Sequence, residues 1–189
     1  MTQGAAQDKR VERTRRALFD AFFDLVLSRP YDEITVDEII ARAGVGRSTF
    51  YEHFKGKDEV LAESVRTPFA ILADAMRARD NTQDLAMLLD HFWRNRAVAP
   101  TMFKGSARRV LVDALVVLIE ERFKQDRVES PNPLLVPQRL AATQLAESLL
   151  APITAWVLGE VECSQRVLAQ ALRRTATATL AALRQGPLA

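Results

Sequence analysis

The side chains best equipped for chemistry lie within one short window. Arg47, Ser48, Thr49, Tyr51, His53, Lys55 and Lys57 offer guanidinium, hydroxyl, phenol, imidazole and ammonium donors between residues 47 and 57. Donors crowded together without a positioned base are suited to recognising acceptors rather than to breaking bonds. The only other histidine is His91, far along the chain, and Cys163 stands alone. A single thiol forms no disulfide within the chain and no cysteine metal site, which fits a reducing cytoplasm. No carboxylate pair has a convincing acid and base environment, and no glycine-rich loop cradles a phosphate. Catalytic residues, metal ligands and a cofactor are therefore not expected.

The elements that hold this window are short helices. Leu18, Phe22, Leu25 and Val26 share one face of a helix expected to begin near Val11 to Thr14 and to end before Pro30. Thr35 and Glu38 have capping-box spacing, Ile39 and Ile40 follow, and Gly44 is a left-handed stop. Gly46 can then cap a third helix carrying Phe50 and Phe54 four residues apart. Two short helices joined by Ala43-Gly44-Val45-Gly46 have helix-turn-helix geometry, in which the first turn of the second helix meets base edges in the DNA major groove. Arg47, Ser48 and Thr49 occupy that turn. Arg47 can fork onto guanine, Ser48 can pair with several bases, and Thr49 can offer a hydroxyl or a methyl to thymine. Tyr51, His53, Lys55 and Lys57 suit phosphates, which position a protein without reading sequence.

From Thr14 to Val60 the chain resembles the DNA-binding domain of TetR-type transcriptional regulators. The resemblance rests on Ile34-Thr35-Val36 and on the run from Ala41 through Gly44-Val45-Gly46-Arg47-Ser48-Thr49-Phe50-Tyr51-Glu52-His53-Phe54 to Lys55-Gly56-Lys57. It implies a homodimer that binds an inverted-repeat operator, usually as a repressor, and leaves it when a small molecule enters the C-terminal domain. It also implies that Arg47, Ser48, Thr49 and Tyr51 lie near the groove, with Thr35, His53 and Lys57 at phosphates. Two residues depart from the commonest pattern. Gly46 stands where Ser or Thr is frequent, and Glu52 puts a negative charge on the reading helix. Plainer readings stand beside these: Tyr51 can pack on the small core, His53 can be a solvated surface residue, and Lys55 a solvated face. The basic run Lys9, Arg10, Arg13, Arg15 and Arg16 reads either as a disordered arm or as a DNA contact.

Longer helices follow. The fourth opens at Asp58 and Glu59 and kinks at Thr67-Pro68; Thr82 can cap the next, with Leu85, Leu88, Leu89, Phe92 and Trp93 on one stripe. Ser106 to Phe123 is apolar on most sides, so it belongs in the middle of a bundle. A proline-rich loop, Ser130 to Pro137, precedes two helices, Gln138 to Leu158 and Ser164 to Arg184. The fold class expected is all-α, with a helix-turn-helix domain over 1–60, of which 1–10 forms an arm, and a ligand-binding and dimerisation bundle over 61–189. Phe69, Leu72, Met76, Phe92, Trp93, Phe103, Val110, Ile153 and Trp156 are mostly core, yet as a group they could line an apolar pocket oriented by His91, Asp113, Gln144 or Glu147. Ala141, Ala142, Ala146, Ser148 and Ala151, with Ala169, Ala171, Ala176 and Ala178, would let the last two helices approach closely. Leu145, Leu149, Leu168, Leu172 and Leu180 would supply burial in a four-helix dimer interface, the place where the family resemblance puts it.

Composition sets the outer limits. The 189 residues are 48% apolar and 26% charged, with seven glycines and eight prolines, enough for one core or two small adjoining ones and too poor in turns for an all-β fold. The net charge is only +2, and residues 1–60 carry ten basic against eleven acidic side chains. Affinity for nucleic acid must come from placement rather than bulk charge. The longest apolar stretch, Val110 to Ile119, is interrupted by Asp113 and too short for a bilayer, so a cytoplasmic protein without membrane partners is expected. A ligand-independent DNA-binding dimer, or a helical carrier with a vestigial helix-turn-helix, are the alternatives.

Overall fold

Every element of the computed structural model, which describes residues 2–77, 79–126 and 133–184, is helical or a connecting turn. Side chains are described from residue 9 onward, apart from residue 126. Helix α1 runs Thr2–Ser28, so residues 2–10 are its opening turns and not the separate arm expected of 1–10. Gln3, Ala5, Ala6, Gln7, Lys9 and Arg10 all favour helix, and Gly4 alone is too weak an interruption to stop it. Pro30 ends this helix as expected, and Tyr31–Glu33 form a 3-10 turn before α2, Val36–Ala43. Thr35 makes the full capping box with Glu38, and Gly44 closes α2 at φ 65°, a left-handed conformation that glycine adopts without strain.

α3 is Arg47–His53, capped by the backbone of Gly46, and α4 is Lys57–Ser64. Leu18 and Phe22 of α1, Ile39 of α2, Phe50 and the following Phe54, and Val60 and Leu61 of α4 are all almost completely buried in one cluster. Burying each such side chain contributes about 1.5–3 kcal/mol, which is how helices of seven and eight residues hold their places. α4 therefore runs straight across the expected 60/61 boundary. It meets α5, Arg66–Ala73, at Val65, just before the predicted kink at Pro68.

The remainder is a bundle built around α8, Gly105–Asp126, with Leu111, Leu115, Val116 and Ile119 buried along it. This is the central position its all-round apolar pattern predicts. α4, α5 and α9, Gln138–Val157, all pack on α8, while α10, Gln165–Arg184, lies across α9 and α6, Thr82–Arg94. The short α7, Ala99–Met102, leads into α8. Thr82 is the first residue of α6 but not its cap; Asp80 accepts hydrogen bonds from the Thr82 amide at 2.9 Å and its hydroxyl at 2.6 Å. Of the proline-rich loop, residues 133–137 are non-helical and 130–132 lie outside the described residues.

The two parts meet at the 3-10 turn. Ser106, at the start of α8, donates its hydroxyl to the Asp32 carboxylate. Gly105 has φ +59°, and a Cβ there would lie 3.3 Å from Asp32 Oδ2, so both backbone and space favour glycine. Arg66 and Glu121 add an ion pair at 3.1 Å between α5 and α8.

Candidate functional site

The recognition helix is held from beneath by Phe50 and Phe54, whose ring centroids are 6.0 Å apart. With that side buried, Arg47, Ser48 and Tyr51 stand exposed, while Thr49 and His53 are half-buried at the flanks. Tyr51 is 49% exposed, with its ring edge against Phe50 at 5.3 Å, so its ring does pack on the core residue while much of it faces outward. Arg47 forms an exposed pair with Asp37 at 2.6 Å, and its guanidinium lies 5.8 Å from the Tyr51 ring centroid. Such a pair in water holds an arginine only weakly, so Arg47 is restrained without being used up. Glu52 and Lys55 are exposed, and Glu52 lies next to Tyr51 on this outward side.

Two expected phosphate contacts are engaged elsewhere. Lys57 donates to the carbonyls of Tyr31 and Ile34 at 2.8 Å and of Asp32 at 3.3 Å, and its ammonium sits 4.6 Å from the Tyr31 ring centroid. All three N–H groups are thereby directed at the end of the 3-10 turn, where carbonyls concentrate negative charge. Lys57 fastens α4 to the entrance of α2; sequence spacing could not reveal this, because its partners precede it by more than twenty residues. The Thr35 hydroxyl accepts from the Glu38 amide at 3.3 Å and donates to the Glu38 carboxylate at 2.9 Å. Hydrogen bonds from the Thr35 amide and hydroxyl, with Arg29 nearby, hold the Glu38 carboxyl below its ordinary pKa. Thr35 remains exposed, but its hydroxyl already serves α2.

Beneath the turn, burial and a 2.5 Å hydrogen bond to Asp58 push the Tyr31 phenol above its ordinary range, so it stays a neutral donor. On the outer flank, Arg15 pairs with Glu63 at 3.1 Å and lies 4.9 Å from the Phe54 ring centroid. The basic run is thus divided, with Arg15 turned onto the core and Lys9, Arg10, Arg13 and Arg16 exposed.

In the bundle, Phe69, Leu72, Met76, Phe103, Ile153 and Trp156 are buried, and Phe92, Trp93 and Val110 are half-buried. Trp93 and Trp156 pack with centroids 4.8 Å apart, and Phe92 meets Phe103 edge-on at 6.2 Å. The polar groups expected to orient a ligand are not inside. His91, Asp113 and Gln144 are exposed; Asp113 pairs with Arg139 at 3.1 Å, and Glu147 accepts from Arg108. His91, Asp113 and Gln144 fall on the outward side of their helices once the apolar stripe is buried, while Glu147 is half-buried between α8 and α9. Among the described residues the buried polar side chain is Asn81, which donates to the Ile71 carbonyl at 3.1 Å while its Oδ1 has no protein partner.

The leucines expected at a dimer interface also require correction. Leu145, Leu149, Leu168, Leu172 and Leu180 are at most 7% exposed within the single chain, because α9 and α10 turn them towards their own bundle. Ala141, Ala142, Ala146, Ala169 and Ala176 are buried with them. Ala151, Ala171 and Ala178 face outward, with Ser148 half-buried beside them. No group of three His, Cys, Asp or Glu among the described residues could hold a metal ion, and no described helix is long and apolar enough to cross a membrane.

A short helix with an exposed polar first turn, set on a three-helix core and joined to a helical bundle, defines a helix-turn-helix regulator fold. Residues 16–64 match the family of bacterial regulatory proteins, tetR family. It is similar to two HTH-type transcriptional regulators of Bacillus subtilis strain 168. YxbF is 31% identical over 120 residues, covering 52% of this chain and 32% of that protein; YdeS is 28% identical over 138 residues, covering 73% and 65%. The match thus spans less than two thirds of either relative. Two solved structures share the fold over nearly their whole length. The TetR regulator of Streptococcus agalactiae 2603V has a TM-score of 0.56 and 22% identity, covering 92% of this chain and 99% of that one. FadR of Thermus thermophilus, a TetR-family repressor solved with lauroyl-CoA, has a TM-score of 0.53 and 22% identity, covering 93% and 98%.

Proposed function

We propose that this chain is a cytoplasmic, dimeric DNA-binding regulator that reads an inverted repeat and represses transcription until a mostly hydrophobic small molecule lowers its affinity. The observation that carries the reading is the outward first turn of α3. Arg47 and Ser48 are exposed while Phe50 and Phe54 fix the helix from below. Arg47 and Ser48 read base edges, Thr49 adds a contact at the flank, and Tyr51 and His53 meet phosphates beside them. Arg47 exchanges Asp37 for a guanine on binding. Thr35 and Lys57 act indirectly, by fixing α2 and α4 so that α3 enters the groove at one angle.

Two copies of the chain associate through the outward small residues of α9 and α10, Ser148, Ala151, Ala171 and Ala178, which permit close helix approach across a twofold axis. The ligand occupies the bundle beside the aromatic pairs of α6, with Asn81 Oδ1 as an acceptor for one polar group of an otherwise apolar molecule. FadR of Thermus thermophilus, which shares this fold, was solved in complex with lauroyl-CoA. Ligand shifts the population towards a spacing of the two α3 helices that no longer fits both half-sites, and α4, continuous from Lys57 into the bundle, transmits the shift. A ligand-independent regulator is the second reading, favoured by the mutual packing of Trp93 with Trp156 and of Phe92 with Phe103.

A salt-series binding titration with footprinting on the DNA upstream of the coding region tests the first reading. Protection of an inverted repeat, weakened by salt and lost in Arg47→Ala, is expected. A folded dimer that protects no site there, and none in a genome-wide selection, overturns it. Apolar ligands that leave operator affinity unchanged across a broad panel, with Asn81→Ala equally inert, favour the second.

A further inference from the structure

Four arginines around the helix-turn-helix have carboxylate partners. Arg15 is held by Glu63, Arg29 by Glu38, Arg42 by Asp24 and Arg47 by Asp37. Lys9, Arg10, Arg13 and Arg16 differ: they are exposed and form no ion pair with a described residue, although Glu12 lies on the same helix and the exposed Asp20 follows one turn after Arg16 on the same side. At 100° per residue, Lys9, Arg13 and Arg16 fall within about 60° of one another and Arg10 extends the stripe. None of the described side chains before Leu18 is buried, so these turns project beyond the three-helix core. Their orientation is nevertheless fixed. Arg15, on another side of the same turns, is pinned to Glu63 at 3.1 Å and against Phe54 at 4.9 Å, and Phe19 meets Phe54 at 5.6 Å. Phe54 closes the end of α3, so the stripe is anchored to the recognition helix itself.

We infer that Lys9, Arg10, Arg13 and Arg16 form a second, sequence-independent DNA contact, a rigid helical rail that engages the phosphate backbone beside each half-site. The inference rests on the DNA-reading role of α3 and adds a site outside the helix-turn-helix. The chemistry favours a duplex. Lys9 to Arg16 spans about 10 Å of helix axis, and duplex DNA carries a charge about every 1.7 Å, so four cations on one face meet several phosphates at once. Guanidinium forks match phosphate oxygens, and a helix already formed loses little further entropy on binding. The rail also accounts for attraction to DNA in a domain whose total charge is slightly negative, because the cations that count are those without acidic partners.

The full-length protein and its Lys9→Gln, Arg10→Gln, Arg13→Gln, Arg16→Gln variant are titrated across a salt series on the footprinted duplex and on a random-sequence duplex of equal length. Glutamine keeps the helix propensity, and circular dichroism checks that the fold is retained. Four lost phosphate contacts reduce the slope of log affinity against log salt by roughly 3 to 4. Raising salt from 50 to 200 mM should then cost the wild type about a hundredfold more affinity than the variant. The loss should be the same on both duplexes, and Arg10→Lys, Arg13→Lys, Arg16→Lys should restore most of the slope. An unchanged slope overturns the rail, and so does a loss confined to the footprinted duplex, which would make these residues base readers. If the wild type binds neither duplex, the DNA-reading role of α3 fails and the rail with it; if it binds both and Arg47→Ala erases the preference between them, α3 stands whatever the rail does.

Discussion

The recognition domain and the bundle are both helical, but they are stabilised in different ways. Around α3, short helices are fixed by local devices: the Thr35–Glu38 capping box, the left-handed Gly44, and two phenylalanines one turn apart on α3 and at its end. In the bundle, long helices are fixed by which of several apolar sides faces inward. Local devices leave the opposite side of α3 free for polar recognition residues. A bundle helix has no such reserved side, and residues suited to a partner or a ligand are consumed by the core, as Leu145 and Leu149 are.

The sharpest way to break this contrast is to truncate a bundle leucine. Leu149→Ala should destabilise the chain by about 2–5 kcal/mol in urea unfolding, without a specific change in the dimer dissociation constant by sedimentation equilibrium. A weakened dimer at unchanged stability would return Leu149 to the interface. By comparison Ala178→Glu, on the outward side of α10, should dissociate the proposed dimer with a stability change of only about 0.5 kcal/mol in the monomer.

Lys57→Met should cost about 1–3 kcal/mol of stability by removing donors from three carbonyls, while leaving the salt slope of DNA binding unaltered. A slope smaller by about 1 would show a phosphate contact instead. Arg47→Ala is the converse case. It should remove about 1–3 kcal/mol of discrimination at one base position, measured with a panel of singly altered duplexes, and hardly change the melting temperature, since the pair with Asp37 is exposed.

The smallest effect concerns the capping box. The Glu38 carboxyl is depressed in the folded state, so its contribution is present above the unfolded value near 4.3 and is lost as pH falls through the folded one. Glu38→Gln should flatten the stability profile of the chain below about pH 4.3 and lower stability slightly at pH 7 to 8, where the ionised carboxylate contributes. A profile identical to that of the wild type would show that the carboxylate adds nothing to the cap.

The legibility of the sequence follows the same division. Helix ends at Pro30 and Gly44, the turn before α3 and the central burial of α8 are visible in residue types a few positions apart. The exposed donors of α3 were equally visible, since their exposure is dictated by Phe50 and the following Phe54. Lys57 and the Glu147–Arg108 pair were not, because one is decided by carbonyls from another helix connection and the other by how α8 meets α9. The start of α1 was missed for a different reason. Helix propensity without an apolar stripe continues the helix into residues 2–10 but leaves no periodic signal.

The Asp32 joint has a consequence for exchanging parts between relatives. Asp32 presents its carbonyl to Lys57 and its carboxylate to Ser106, beside a glycine whose backbone few other residues would adopt. A chimera that grafts residues 1–64 onto a foreign bundle would bring Lys57 along but leave Gly105 and Ser106 behind. With α3 in its proposed DNA-reading role, a new operator is therefore better reached by rewriting the outward side of α3 in place than by transplanting the whole head.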